Sequence, residues 1–210
     1  MVVALSCAGN NDPIRLRSLR SGSAEGWVPI PDPPIGVLSE RLFPPSLCCV
    51  EEVIYVIGGR DVSGATSNAL QAYELSTRAW AVLAPLPVPR CRSKCVLLAW
   101  RLYVVGGNGD RGDQLASVFS YDPRTDQWRS ESQLPFEDSR VRSRLPMIYM
   151  ISAAAHERSV VVVGGTPAPH LAIADSVWTE LPPFPSRPGY SRSAALSGRL
   201  ACVASLCLGY

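Results

Sequence analysis

The chain has 210 residues, 47% of them hydrophobic and 18% charged, the mixture of a folded globular protein rather than of a disordered one. Its 20 basic against 18 acidic side chains leave a formal charge of +2, too little to draw a nucleic acid or an anionic membrane. The longest apolar windows, Met147 to Ala155 and Cys95 to Trp100, fall far short of the roughly 20 residues that a membrane-spanning helix needs.

In chain order, Met1 to Gly9 is apolar with small residues. It lacks the basic leader and apolar length of a secretory signal and is expected to form a strand. Trp27 and the prolines from Pro29 to Pro34 close this first segment. At Val53 to Gly59 a β-branched run ends in two glycines, with Arg60 and Asp61 behind them, and the pattern returns at Leu102 to Gly107 and at Val160 to Gly165. The first glycines of the three pairs stand at 58, 106 and 164, so the spacings are 48 and 58 residues, the scale of a repeat array.

The grammar around each pair is also repeated. Trp80 lies 22 residues after Gly58 and Trp128 lies 22 after Gly106, with Tyr73 and Tyr121 each seven residues before the tryptophan. The pieces from tyrosine to tryptophan predict two strands joined by a tight polar turn, and Pro123 presets a backbone angle of the second such turn. Proline-containing links follow: Pro85 to Pro87 with Arg90, then Leu134 and Pro135 with Arg140. In the third unit Trp178 comes only 14 residues after Gly164, the tyrosine is absent, and Pro182 to Arg187 supplies the link, which predicts a shortened connection between the second and third strands. Arg199 to Ser205 parallels Arg101 to Gly107, with Ala204 and Ser205 in place of the glycines.

Each unit therefore reads as four short antiparallel strands. A small twisted sheet cannot bury both of its faces alone, so copies stack around an axis and cover one another. The glycines suit a place where the second strand leaves the sheet near the crowded axis and a side chain would obstruct it.

The glycine doublet, the tyrosine, the tryptophan seven residues on and the proline–arginine link together resemble kelch repeats, over Leu47 to Arg90 and Cys95 to Arg140 and more weakly over the third unit. The resemblance implies an all-β fold, a kelch-type β-propeller. The expected organisation is a degenerate unit over 1–45, repeats over 46–92 and 93–145, a shortened repeat over 146–192, and the start of a further unit over 193–210. Opening at a second strand and closing after a first and second, such a chain has 17 strands, whereas a closed four-bladed ring takes 16 and kelch propellers commonly have six blades. The expectation is a partial propeller of about four blades, whose open edges and apolar blade face favour self-association.

In kelch propellers that recognise acidic peptides, arginines of the last-to-first strand link and polar residues after the glycine doublet line the partner site. The resemblance places these at Arg92 and Arg142, and at Arg60, Asp61, Asn108 and Asp110, where guanidinium groups would hold carboxylates bidentately. The first arginines of the links, Arg90, Arg140 and Arg187, are expected instead to pack over a neighbouring blade or to cap their loops. Gly58, Gly59, Gly106, Gly107, Gly164 and Gly165, with Tyr73, Trp80, Tyr121, Trp128 and Trp178, are expected to be structural.

Other motifs carry less. Arg111-Gly112-Asp113 matches an integrin-recognition tripeptide but is expected to be a turn with two solvated charges. Cys48-Cys49 and Cys91 with Cys95 have the wrong spacing for zinc, and His156 and His170 lie in another unit, so the cysteines are expected to be small buried hydrophobes with no metal or cofactor. Seven cysteines, an odd number, and no Asn-X-Ser/Thr acceptor favour reduced thiols in an intracellular, cytoplasmic or nuclear setting. No phosphate loop, dinucleotide fingerprint or nucleophile elbow occurs. The expectation is a non-catalytic protein-interaction module, a substrate-recognition or cytoskeletal adaptor, with a sialic-acid-type enzyme as the alternative because an arginine cluster also binds a sugar carboxylate.

Overall fold

The computed structural model describes residues 2–6, 15–19, 26–36, 44–61, 63–134, 152–156, 159–163, 170–174, 177–181, 190–196 and 199–205. Among them there are 17 strands and no helix. β1 (Val2–Ser6), β2 (Arg15–Leu19) and β3 (Val28–Pro29) form a three-stranded sheet. β4 (Ser46–Val50), β5 (Val53–Ile57), β6 (Leu70–Glu74) and β7 (Ala79–Leu83) form the first four-stranded sheet. β8 (Lys94–Leu98), β9 (Arg101–Val105), β10 (Val118–Asp122) and β11 (Gln127–Ser130) form the second. β12 (Ser152–His156), β13 (Ser159–Val163), β14 (His170–Ala174) and β15 (Val177–Leu181) form the third, and β16 (Tyr190–Leu196) pairs with β17 (Arg199–Ser205). Neighbours in sequence are neighbours in each sheet, and every pairing is antiparallel.

The chain divides into two compact units, Met1–Arg92 and Ser93–Tyr210. In the first, Leu16 and Ile30 join Ile54, Val56, Ala69 and Tyr73 in one buried cluster, with Leu47, Cys49, Leu75 and Trp80 packed against it. The three-stranded sheet and the sheet β4–β7 thus share a core. In the second, Val96, Val105, Val118 and Leu134 cluster with Val160 and Val162, joining the sheets β8–β11 and β12–β15. Ile54 to Ile57 of β5 are all buried, which is why that strand is uniformly apolar instead of alternating: it is covered on both faces. The outermost strand β7 is largely solvated and leaves Val82 58% exposed.

The repeat in sequence is a repeat in register. Tyr73 faces Trp80 and Tyr121 faces Trp128 across the third and fourth strands, with ring centroids 5.1 and 5.0 Å apart and interplanar angles of 50° and 44°. These are the tilted contacts that aromatic quadrupoles favour. Trp178 keeps the register, but Ile173 stands where the other sheets have tyrosine. β13 ends at 163 and β14 begins at 170, against 57 and 70 for β5 and β6, the shortened connection that the spacing implies.

Candidate functional site

In the sheets β4–β7 and β8–β11, the loop from second to third strand and the start of the link that leaves the fourth strand lie at the same end. Main-chain hydrogen bonds fix both loops alike. Gly58 N–H donates to Ala69 O at 2.9 Å, as Gly106 N–H does to Ser117 O at 3.3 Å. Ser67 N–H donates to Gly59 O at 2.8 Å, as Leu115 N–H does to Gly107 O at 2.9 Å. Leu86 N–H reaches Asn68 O at 2.8 Å, and Leu134 N–H reaches Ala116 O at the same distance, so each link is tied to the loop of its own blade.

Gly58 and Gly106 have φ of 65° and 58°, and Gly59 and Gly107 have 101° and 100°, a region that glycine enters without strain. A Cβ on Gly58 would lie 2.1 Å from the Arg90 carbonyl oxygen. The obstruction is therefore the blade's own outgoing link, crossing the glycine pair and accepting the Gly59 N–H at 2.9 Å. Arg90 is completely buried, its Nε donates to Val88 O at 3.2 Å, and burial pushes its pKa down to about 10. It packs the link onto its own loop.

Beyond Arg90, the structure brings Arg60, Cys91 and Arg92 together. Cys91 is fully buried, and burial raises its thiol pKa. The Arg60 and Arg92 charges and a hydrogen bond from Arg60 oppose that rise, placing both guanidinium groups within electrostatic reach of one sulfur. Both arginines are half-buried. Arg92 has φ 56°, unusual for a residue with a side chain, and its N–H donates to Pro44 O at 3.0 Å. Arg60 forms an isolated bridge with Thr66 that closes the loop below it.

Asp61 serves that loop. Its carboxylate accepts from Ser63 N at 2.8 Å, Ser63 Oγ at 2.6 Å and Ala65 N at 3.1 Å, and its pKa is lowered chiefly by the Ser63 hydroxyl. In the second repeat Asn108, bridged to Gln114, is 3% exposed and its amide donates to Gly112 O at 3.4 Å, whereas Asp110 is exposed. Arg111 and Asp113 are exposed on either side of Gly112. Arg140, Arg142, Gly164, Gly165 and Arg187 lie outside the described residues. Cys48, Cys49, Cys91 and Cys95 are thiols outside any disulfide, and among the described residues no cluster of three or more His, Cys, Asp or Glu could hold a metal. Among the described residues no helix is long and apolar enough to cross a membrane. Cys91 as the meeting point of two arginines carries no local sequence signal, because Arg60 arrives from a loop some 30 positions earlier.

Four-stranded antiparallel blades, with a glycine pair crossed by the outgoing link in the first and a tyrosine paired to a tryptophan in the first two, are those of a partial β-propeller of the kelch type. The Kelch motif matches residues 41–87 and 89–135, so the chain carries two kelch repeats. It is 28% identical to mouse Kelch-like protein 35 over 135 residues, covering 63% of this chain and 22% of that one. It is 28% identical to zebrafish (Danio rerio) Kelch repeat and BTB domain-containing protein 12 over 131 residues, 57% of this chain and 19% of the relative. With Beta-scruin of Limulus polyphemus it shares 34% over 88 residues, 39% and 10% of the two chains. The matches thus span about a fifth or less of these relatives' lengths.

Proposed function

We propose that the chain is a non-catalytic protein-interaction module that grips an acidic segment of a partner at the loop-and-link end of its blades, inside the cell, in the manner of an adaptor. The observation that supports this most is the convergence of Arg60 and Arg92 on Cys91. Two half-buried arginines that both act on one thiol, on a loop and a link stitched together by main-chain hydrogen bonds, would form a seat for carboxylates. Asp61 keeps the first loop in shape and Asn108 the second, while Asp110 stands outward for partner contact. Arg142 occupies in sequence the place in the second repeat that Arg92 has in the first.

The test uses a fluorescently labelled glutamate-rich peptide and polarisation titrations. Losing one charge-assisted pair of about 1.5 kcal/mol weakens binding about tenfold, so Arg92→Ala is expected to raise the Kd by that factor while the melting temperature holds. Arg129→Ala, an exposed arginine on β11, controls for general charge. Equal affinity of the Arg92→Ala and parent proteins removes this reading.

A further inference from the structure

The opposite end of the blades carries the hairpin turns, and there the second blade departs from the first. β8 and β9 are joined by only Ala99 and Trp100, at φ 47° and 63°. Two-residue hairpin loops of this hand call for Asn-Gly or Asp-Gly, because positive φ costs a residue with a Cβ. This turn instead holds an indole 59% exposed. The same turn in the first blade is Glu51-Glu52, acidic and solvated.

The surroundings of Trp100 are arranged for contact. In the first blade the Leu75 N–H donates to the Glu52 carbonyl at 3.0 Å. The counterpart of Leu75 is Pro123, which has no N–H, so no amide hydrogen reaches the Trp100 carbonyl from that position. The ladder pairs Tyr121 with Leu102, and the Arg101–Asp122 ion pair extends it by one step toward the turn. The carboxylates there are already engaged. Asp122 takes Arg101 Nη2 at 2.9 Å and the Arg124 N–H at 3.0 Å, and Asp126 accepts the Tyr121 hydroxyl at 2.7 Å. The Arg124 side chain, 3.5 Å from Asp122 at its Nε, remains 74% exposed.

We infer that the turn end of the second blade is a second docking surface, separate from the loop-and-link end, and that it takes an extended segment of a partner protein in which an aliphatic or proline side chain is followed closely by a carboxylate. The apolar side chain lies on the Trp100 indole, the carboxylate meets Arg124, and a main-chain N–H of the segment donates to the Trp100 carbonyl. Tryptophan and arginine are the side chains that most often anchor such contacts. The inference does not depend on the Arg60–Arg92 seat.

A library of random peptides displayed on phage, panned against the purified full chain, supplies the probe, and retained peptides are then synthesised and titrated. Retained sequences are expected to pair an apolar residue with Asp or Glu. Trp100→Gly, a residue the turn accepts readily, is expected to weaken their binding by at least about tenfold. Arg124→Ala should weaken it less and flatten its salt dependence, and Arg92→Ala should leave it unchanged. The inference is overturned if no peptide is retained, if retained peptides bind the Trp100→Gly protein as well as the parent, or if the substitution changes only the mass of the chain in solution, which would make the indole a contact between copies.

Discussion

Replacing Gly58 by alanine tests the architecture at its most crowded point. The added methyl would sit 2.1 Å from the Arg90 carbonyl oxygen, 3.3 Å from its carbon and 3.4 Å from Ser67 O. Carbon and oxygen in contact normally stand about 3.3 Å apart, so the link must retreat by about 1 Å. That retreat comes out of two hydrogen bonds, Gly59 N–H to Arg90 O at 2.9 Å and Arg90 N–H to Ser67 O at 3.1 Å. Each contributes about 1 kcal/mol, and alanine at φ 65° adds about 1 kcal/mol of backbone strain, so the loss is about 3 kcal/mol, a large part of a typical domain's stability. Urea titration followed by the fluorescence of the five tryptophans measures it. Gly112 is the matched control, at φ 74° with nothing near its virtual Cβ, so its alanine variant should lose only the strain, about 1 kcal/mol. If the two variants lose the same stability, the link does not press on the glycine pair and the explanation of the doublet fails.

Gln71 is completely buried, accepting the Ile35 N–H at 2.8 Å and donating to Ile35 O at 3.0 Å, so Gln71→Ala should cost about 2 kcal/mol in denaturant titrations. Burial, and then the neighbouring Cys48, push the Cys49 thiol from 9.0 up to about 11. The folded state keeps this proton where the unfolded chain has lost it. Stability present below pH 9 should therefore fall as pH rises through 9 to 11, and thermal melts across that range should be flatter for Cys49→Ala than for the parent. Trp100→Gly removes a side chain from a turn at φ 63° and should raise stability by about 0.5 kcal/mol, seen as a higher melting temperature.

The blade was legible because its signals are periodic and obey burial. Gly58 and Trp80 keep their spacing in the second repeat because a sheet covered on both faces leaves little freedom in strand length. The 17 strands expected from that phase are all present among the described residues. Arg90 was open to two readings in the sequence, and only burial assigns it to packing. Asp61 and Asn108 have a loop-holding role that the resemblance does not indicate. Polar residues behind a glycine pair look like ligands for a partner, yet their described hydrogen bonds hold their own loops. Asp61 followed by Ser63 and Gly64 is an Asx-turn signature that predicts its three hydrogen bonds. Trp100 looked like the end of an apolar window, whereas two non-glycine residues between strands at positive φ mark it as a departure from turn chemistry.

The two ends of a blade are under different physical constraints, and this decides where function can vary. At the loop-and-link end, the second strand's exit, the third strand's entry and the outgoing link share main-chain hydrogen bonds, so a change at Gly58 or Arg90 is felt by all three. Only side chains that leave this stitching toward solvent, such as Arg92, can change without loss of the fold. At the turn end a hairpin needs two residues that tolerate its backbone angles, and in the first blade a single further main-chain hydrogen bond, from Leu75 N–H to Glu52 O, reaches it. Glu51-Glu52 and Ala99-Trp100 occupy that place in successive blades with opposite surface chemistry, the first with one residue at positive φ and the second with two. A position so weakly tied to the fold is free to carry a costly aromatic, and the strain it accepts is small beside the contact an exposed indole can make.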